Sequence, residues 1–201
     1  ILTHIRHSEK VFIMKRLLLI LILTLSFQTL LNADDIRDFQ IEGISIGDSL
    51  LDYYKESEIK NKNKNFYPKS KKIYMIEFYD NFKLFDAVAF HLQKNDENYI
   101  IESIKGVIFF DKNIKKCRKK MTKIELDVSN FLNIKKNLYE ERKYPDKRGT
   151  AYITEFKLNN DKLRIWCVNF VKKHEKLGSR DNLALSIEPY EFSKWLSEEA
   201  W

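Results

Sequence analysis

The chain contains two cysteines, Cys117 and Cys167, and these are the residues best suited to chemistry. A thiol pair can form a disulfide or bind a metal, and a single thiolate can act as a nucleophile when a histidine activates it. An even number of cysteines favours a disulfide in a protein that leaves the cytosol, as the N-terminal sequence below indicates. We therefore predict a Cys117–Cys167 disulfide, with two buried free thiols or a catalytic cysteine as the alternatives.

Both cysteines lie in segments with a regular apolar pattern. In Lys112–Leu132, apolar residues recur every three or four positions, which predicts a helix with Cys117 on its apolar face. Leu163–Val168 alternates with a period of two, which predicts a strand. A helix packed on that strand would bring the sulfurs together and close a loop of about 50 residues, stabilising the fold by about 4 kcal/mol in the chain-entropy model.

Other catalytic and metal-binding patterns are absent from the sequence. His91 and His174, the histidines of the mature part, lack the short spacing of a metal site, and no glycine-rich phosphate loop or G-x-S-x-G motif occurs. Adjacent carboxylates such as Glu140 and Glu141 diverge on any regular element. We predict no catalytic residue, no cofactor and no metal. An envelope hydrolase that uses distant carboxylates 5 to 9.5 Å apart stays open as an alternative.

A cluster of basic residues is the strongest polar feature. It lies on the solvent side of the predicted Cys117 helix and consists of Lys112, Lys115, Lys116, Arg118, Lys119, Lys120 and Lys123. One interpretation is an ordinary solvated face. The other is an anion-binding surface for lipid headgroups or acidic envelope polymers, with weak peripheral membrane contact.

Residues 14–33 have the pattern of a secretory signal peptide. Lys15 and Arg16 precede the apolar run Leu17–Phe27, and Ala33 supplies the small residue before a cleavage site. An uncleaved anchor or a cytosolic apolar segment are the alternatives, but a spanning helix needs about 20 apolar residues. We interpret residues 1–13 as an upstream, non-native extension and predict a periplasmic or secreted mature protein.

Residues 34–201 then form one domain of ordinary size. Residues 1–33 hold four basic side chains and one acidic, so the net charge falls from +7 for the whole chain to about +4. This mild basicity, combined with export, argues against a nucleic-acid partner.

The apolar patterns predict an α+β fold, in which helices pack on one face of an antiparallel sheet. Predicted helices start at Asp48 or Ser49, at Lys112 and at Tyr190. Predicted strands are Ile73–Tyr79, Phe85–Gln93, Tyr99–Phe110, Ala151–Leu158, Lys162–Val171 and Asn182–Ile187, with a bulge or bend at Gly106. Lys55–Lys72 is predicted to be a solvated loop or a frayed helix end, and Lys135–Gly149 a charged loop. The first two helices each precede three strands, which leaves an internal duplication open.

The segment Ile41–Asp52, together with the settings of Cys117 and Cys167, resembles a group of small exported bacterial proteins without assigned function. More remotely, a helix followed by antiparallel strands is similar to the β-lactamase-inhibitor-protein and SmpA/OmlA type of periplasmic module. The SmpA/OmlA lipoproteins carry a cysteine after the signal peptide, whereas this chain has Ala33-Asp34-Asp35, so the resemblance does not imply a lipid anchor.

These observations predict a non-enzymatic binding or assembly module of the cell envelope. Its partner would be an envelope protein or an anionic surface. Peripheral attachment through the basic helix and a carboxylate hydrolase are the alternatives.

Overall fold

The computed structural model describes residues 36–80 and 82–201, so the predicted signal peptide and the extension before it lie outside the described residues. The described strands are β1 (Gln40–Ile41), β2 (Ile44–Ser45), β3 (Asn65–Phe66), β4 (Ile73–Phe78), β5 (Ala87–Gln93), β6 (Ile101–Phe109), β7 (Leu138–Lys143), β8 (Gly149–Leu158), β9 (Asp161–Phe170) and β10 (Asn182–Glu188). The described α-helices are α1 (Glu56–Lys60), α2 (Ile114–Leu132), α3 (Lys172–Glu175) and α4 (Tyr190–Glu198), and short 3-10 helices occur at Ile36–Asp38 and Leu50–Asp52.

Eight strands form one antiparallel sheet in the order β3-β4-β5-β6-β10-β9-β8-β7. Two meanders, β3–β6 and β7–β10, lie side by side, and their last strands pair at the centre, with Val107 opposite Ala184. The α+β class with an antiparallel sheet is therefore confirmed. Two four-strand units side by side are the arrangement expected of an internal duplication. The duplication itself stays a prediction.

Helix α2 covers the second meander because its apolar stripe matches one face of the strands. Cys117 and Met121 are buried there against Leu163, Ile165 and Leu183. Cys117 and Cys167 form a disulfide, with their Cα atoms 6.0 Å apart, which confirms the predicted pairing. The bond joins the helix to the strand at the centre of this apolar layer.

The N-terminal segments cover the same face of the first meander. Leu50 and Ile59 are fully buried against Ile76, Phe90 and other side chains of that meander. The short helix predicted at Asp48 or Ser49 is confirmed only in part: Ser49 caps the 3-10 helix Leu50–Asp52, but no α-helix forms there, and α1 follows separately. The cause is tertiary, since the Leu50 amide donates to the carbonyl of Tyr99 at 3.0 Å, tying the chain to the first meander.

The β1–β2 hairpin is held by the carboxylate of Glu42, which lies at its turn with φ 57°. This carboxylate accepts hydrogen bonds from the backbone amides of Lys83, Leu84 and Phe85, at 2.9, 2.6 and 3.1 Å. The hairpin and the β4–β5 connection are thereby joined although they are about 40 residues apart in sequence.

Helix α4 differs from the predicted arrangement because it lies on the opposite face of the sheet. Phe192 and Trp195 pack against Ile73, whereas the neighbouring Tyr74 belongs to the core on the α2 side. Successive residues of a strand point to opposite faces, so α4 and α2 are on different sides. The apolar stripe of α4 was visible in the sequence, but its choice of face was not.

The segment Lys55–Lys72, predicted to be a loop or a frayed helix end, contains α1 and the short strand β3. Two further predictions about the strands are wrong. The predicted loop Lys135–Gly149 contains β7, whose register places Glu140 opposite Ile153 of β8. The predicted irregularity at Gly106 lies instead between His91 and Leu92 of β5. Gly106 serves close packing, because a Cβ there would lie 2.5 Å from the ring of Phe85.

Candidate ligand-binding groove

The sheet face opposite α2 is only partly covered, and it carries polar and aromatic side chains. On β9, Leu163, Ile165 and Cys167 are buried on the α2 side, whereas the intervening Arg164 and Trp166 line a depression on the other face. Lys105 of β6 and Ser186 of β10 occupy the same face and are paired neighbours in the sheet.

This depression is a groove with two lobes, of about 300 and 580 Å³. Both lobes share Lys105, Tyr144, Arg148 and Trp166, so the groove is continuous past these four residues. The first lobe lies beside α4 and the terminal Trp201, and the second lies beside the segment at 178–180. These volumes are in the range of ligand-binding clefts.

The connection between β7 and β8 carries Tyr144 and Arg148 over the groove. The loop is tight: the Lys147 amide donates to the Tyr144 carbonyl at 2.9 Å, and Lys147 has a left-handed φ of 57°. Arg148 stacks on Tyr144, with its guanidinium carbon 4.0 Å from the ring centre. At Gly149 any Cβ would collide with the carbonyl oxygen of Asn169, so glycine permits the close strand contact that positions this loop.

Arg164 is held by two carboxylates. Its Nε and Nη2 lie 2.8 and 2.7 Å from Oε1 of Glu155, and its Nη1 lies 3.3 Å from Oε1 of Glu188. Burial alone lowers the pKa of Arg164, but Glu188 and Glu155 outweigh it and raise that pKa above its ordinary value. Glu188 also accepts from the Ser186 hydroxyl at 2.6 Å. These groups form a fixed wall of the first lobe.

Lys105 lies between the two lobes, and its ammonium donates to the thioether of Met75 at 3.4 Å. Within the described residues, no carboxylate oxygen lies within 4 Å of this ammonium. Burial lowers the pKa of Lys105, and the more distant Glu77 and Glu188 partly oppose that effect.

Aromatic side chains enclose the first lobe. The Tyr67 ring meets Trp195 and Trp201 edge-on, at centroid distances of 5.0 and 5.4 Å. His91 lies beneath, 4.8 Å from the Phe192 ring centroid and 2.9 Å from the Tyr67 hydroxyl. Burial, reinforced by the positive charge of Lys105, lowers the pKa of His91 to about 3. His91 is therefore a neutral, structural member of this wall.

The predicted anion-binding surface lies elsewhere. Lys112, Lys115, Lys116, Arg118, Lys119, Lys120 and Lys123 are all exposed at the start of α2. Arg118 is held over the Tyr152 ring at 4.4 Å, and Lys112 lies 3.9 Å from Glu175. Since α2 and the groove are on opposite faces of the sheet, these cations do not contribute to the groove.

The remaining sequence candidates do not converge. His174 lies on α3, while His91 is buried in the sheet. Across residues 36–80 and 82–201, no three His, Cys, Asp or Glu side chains are grouped as a metal would require. The carboxylates that line the groove are Glu77, which accepts from the Tyr79 hydroxyl at 2.8 Å, and Glu188, which is bound to Arg164.

Sequence reasoning missed the groove, although one signal pointed to it. In Leu163–Val168 the side facing away from Cys167 carries Arg164 and Trp166, an arginine and a large aromatic on what would otherwise be a solvent face. Clusters of Arg and Trp are enriched at binding surfaces. The other groove residues come from distant segments and showed no local pattern.

A scan against protein-family models, a search of the curated proteins and a search of the solved structures each find no match to this chain. In the described part of the chain, no helix has the length and apolar character needed to cross a membrane.

Proposed function

We propose that this chain is an exported, non-enzymatic binding module of the cell envelope that holds its ligand in the groove. The observation that carries the proposal is the contrast between the two faces of the sheet. One face is closed by α2 and the N-terminal segments, whereas the other leaves Trp166, Tyr144 and Lys105 around an open groove. A sheet face with only a structural role would not need these side chains, because clustered aromatic and cationic residues are typical of ligand-binding sites.

Two features support export. The Cys117–Cys167 disulfide is the kind of bond that persists in oxidising compartments. The pattern of residues 14–33 in the sequence is that of a secretory signal peptide. Together, these two features support a periplasmic or secreted location.

Photo-crosslinking from defined positions tests the proposed site. A photoreactive phenylalanine analogue replaces Tyr144 or Trp166 in one set of proteins, and replaces Tyr190 as the control, since Tyr190 is exposed but outside the groove. We expect a discrete adduct in intact envelopes from positions 144 and 166 and none from 190. Equal labelling from all three positions, or no adduct from the groove, would contradict the proposal.

A second function is supported by the basic surface on α2. Within the described residues, five of its lysines have no carboxylate within 4 Å: Lys115, Lys116, Lys119, Lys120 and Lys123. Such a surface suits peripheral attachment to anionic lipids. Co-sedimentation with phosphatidylglycerol vesicles tests it, and binding should vanish at about 0.5 M salt.

The matched comparison for this second function replaces equal numbers of lysines by glutamine. One variant changes the five lysines of α2, and the control changes Lys69, Lys71, Lys94, Lys157 and Lys173, which are also exposed. Only the α2 variant should lose the vesicles. Equal losses would mean that net charge, not this surface, governs attachment.

A further inference from the structure

We propose that the groove recognises a single carboxylate beside an apolar or aromatic group, and that Lys105 is the residue that binds this carboxylate. The inference rests on the proposed function, because it names the chemistry of the ligand in the same groove. It follows from the position of Lys105, its hydrogen bonding, the charges around it and the adjacent aromatic rings.

Lys105 is placed where a ligand in either lobe would meet it. Its neighbours across the sheet are small: Ala89 on β5 and Ser186 on β10. Neither side chain is large enough to cover a lysine, so the space above Lys105 belongs to the groove. Lys105 accordingly lines both lobes.

Ion pairing separates Lys105 from the arginines of the groove, although the buried Nε of Arg148 also lacks a hydrogen-bond partner among the described residues. Arg142, Arg148, Arg164 and Arg180 each have a carboxylate within 4 Å. Lys105 has only the thioether of Met75, which is a weak acceptor, among the described residues. An ammonium has three donors, and a partly buried charge without a partner is costly. A ligand carboxylate would supply the missing acceptor.

The surrounding charges favour a monoanion over a dianion. Glu77 and Glu188 both act on Lys105 from beyond ion-pair distance. A ligand with one negative charge is attracted by the ammonium, and these two carboxylates do not outweigh that attraction at close range. A phosphate dianion would double both the attraction to this ammonium and the repulsion from the two carboxylates, whereas the cost of taking it out of water rises with the square of its charge. Arg164 and Arg180 already donate to carboxylates, so these two guanidinium groups are not free to bind a phosphate.

The apolar part of the ligand is inferred from Trp166 and Tyr144. Both rings line the two lobes together with Lys105, so a group bound by the ammonium extends along them. Aromatic rings provide large apolar contact areas with little loss of conformational entropy. The groove thus recognises a carboxylate with an adjacent apolar group. This carboxylate belongs either to a peptide C-terminus or small free acid, or to an acidic side chain within a protein segment.

Matched probes test the charge requirement. N-acetyl-phenylalanine carries one carboxylate, N-acetyl-phenylalanine amide has nearly the same shape without the charge, and phenyl phosphate is the dianion. We expect the acid to bind at least about ten-fold more tightly than the amide, the effect of one charge-assisted hydrogen bond, and more tightly than phenyl phosphate. Nuclear magnetic resonance titration measures the affinities and locates the shifted amides. Equal binding of acid and amide, no binding of the acid, or preference for the phosphate would overturn the inference.

Two lysine variants test the anchoring residue. Lys105→Met keeps a long apolar side chain and should abolish the preference for the acid over the amide. Lys157→Met is the control, because Lys157 is exposed and lies outside the groove. Circular dichroism and thermal unfolding establish that both variants are folded. Should Lys105→Met retain the preference, the assignment to Lys105 is wrong.

Two peptides distinguish the sources of the carboxylate. Acetyl-Gly-Gly-Phe ends in a free carboxylate, and acetyl-Gly-Phe-Glu-Gly-amide carries its only carboxylate on a side chain. Lys105-dependent binding of the first identifies a terminal or free acid, and such binding of the second identifies an acidic protein segment. Lys105-independent binding of both contradicts the inference.

The crosslinking experiment separates this inference from the proposed function. If Lys105→Met leaves the adducts from positions 144 and 166 unchanged, the carboxylate assignment fails while the groove remains the binding site. If those adducts are absent from the wild-type protein as well, the proposed function itself fails.

Discussion

Tyr67 and His91 form a hydrogen bond across the face of the sheet, with the Tyr67 hydroxyl oxygen 2.9 Å from Nε2 of His91. Both residues are largely enclosed by the aromatic side chains of α4 and Trp201. The bond attaches the segment before β4 to β5 and supports the wall of the first lobe. Since His91 is buried next to the charge of Lys105, its pKa is lowered and the imidazole in this contact is neutral.

The first prediction concerns pH. The pKa of His91 is lowered to about 3 in the folded protein, below the value of about 6.5 in the unfolded chain. The unfolded chain therefore takes up the proton first, and stability falls as the pH falls from about 6.5 toward 3. We expect His91→Gln to remove up to about 1.4 kcal/mol per pH unit of this slope, measured by urea unfolding at several pH values.

Tyr67→Phe is the control for this pH effect. It removes the hydrogen bond but leaves His91 buried, so it should lower stability by about 1 kcal/mol while keeping the slope. Parallel slopes for the wild-type protein and His91→Gln would show that His91 is not the titrating group.

The second prediction concerns the Cys117–Cys167 disulfide. Its residues are 50 positions apart, and the chain-entropy model assigns a loop of this size about 4 kcal/mol of stabilisation. The double variant Cys117→Ser, Cys167→Ser should lose most of this free energy of unfolding. Reductant should lower the unfolding midpoint of the wild-type protein and leave that of the double variant unchanged. A midpoint insensitive to reductant in both proteins would contradict the prediction.

The third prediction concerns Gly106 and Phe85. Gly106→Ala places a methyl group 2.5 Å from the Phe85 ring, so we expect a destabilisation of about 1–3 kcal/mol from overpacking. Phe85→Leu in the same protein should relieve part of this loss. A double-mutant cycle measured by denaturant unfolding gives the coupling, and additive effects would mean that the two side chains do not compete for space.

The fourth prediction concerns Glu42. Its carboxylate accepts from three backbone amides, and removing it leaves these donors without their partner. Glu42→Ala should cost about 1–3 kcal/mol, with increased hydrogen exchange at Lys83, Leu84 and Phe85. Glu141→Ala, an exposed position on β7, is the control and should change stability by less than about 0.5 kcal/mol. Unchanged exchange at the three amides would refute this role.

The fifth prediction concerns Arg164. Glu188 is 3% exposed, so Arg164→Met leaves a buried carboxylate without its cation and should cost about 3–5 kcal/mol. Arg142→Met is the matched comparison: Arg142 pairs with Glu140 on the edge strand, its side chain is 61% exposed, and the expected cost is below about 1 kcal/mol. Thermal unfolding of both variants decides the matter, and similar losses would mean that burial of the ion pair has no special role.

The elements with strong periodicity were predictable from sequence. Helix α2 and strands β8, β9 and β10 show regular apolar spacing, and that spacing also placed Cys117 and Cys167 on facing surfaces. Strand β7 was missed because its sequence, Leu-Tyr-Glu-Glu-Arg-Lys, is almost entirely charged. β7 is a strand because its backbone pairs with β8, and its own side chains do not predict this pairing.

The groove was beyond prediction for a different reason. Lys105 lies on β6, Trp166 on β9 and Trp201 after α4, and the central pairing of β6 with β10 brings the two meanders to one face. The side of the sheet chosen by α4 then decides how much of that face stays open. No local sequence pattern predicts the pairing of β6 with β10 or the face on which α4 packs.

The two edge strands of the sheet, β3 and β7, also determine how strongly the protein resists aggregation at high concentration. β3 has only two residues, which offers little backbone for another chain to pair with, and four of the six residues of β7 are charged: Glu140, Glu141, Arg142 and Lys143. Short edges and charged edges are the devices by which sheet proteins avoid edge-to-edge aggregation. The charge that concealed β7 in the sequence is therefore what protects the open margin of the fold from self-association.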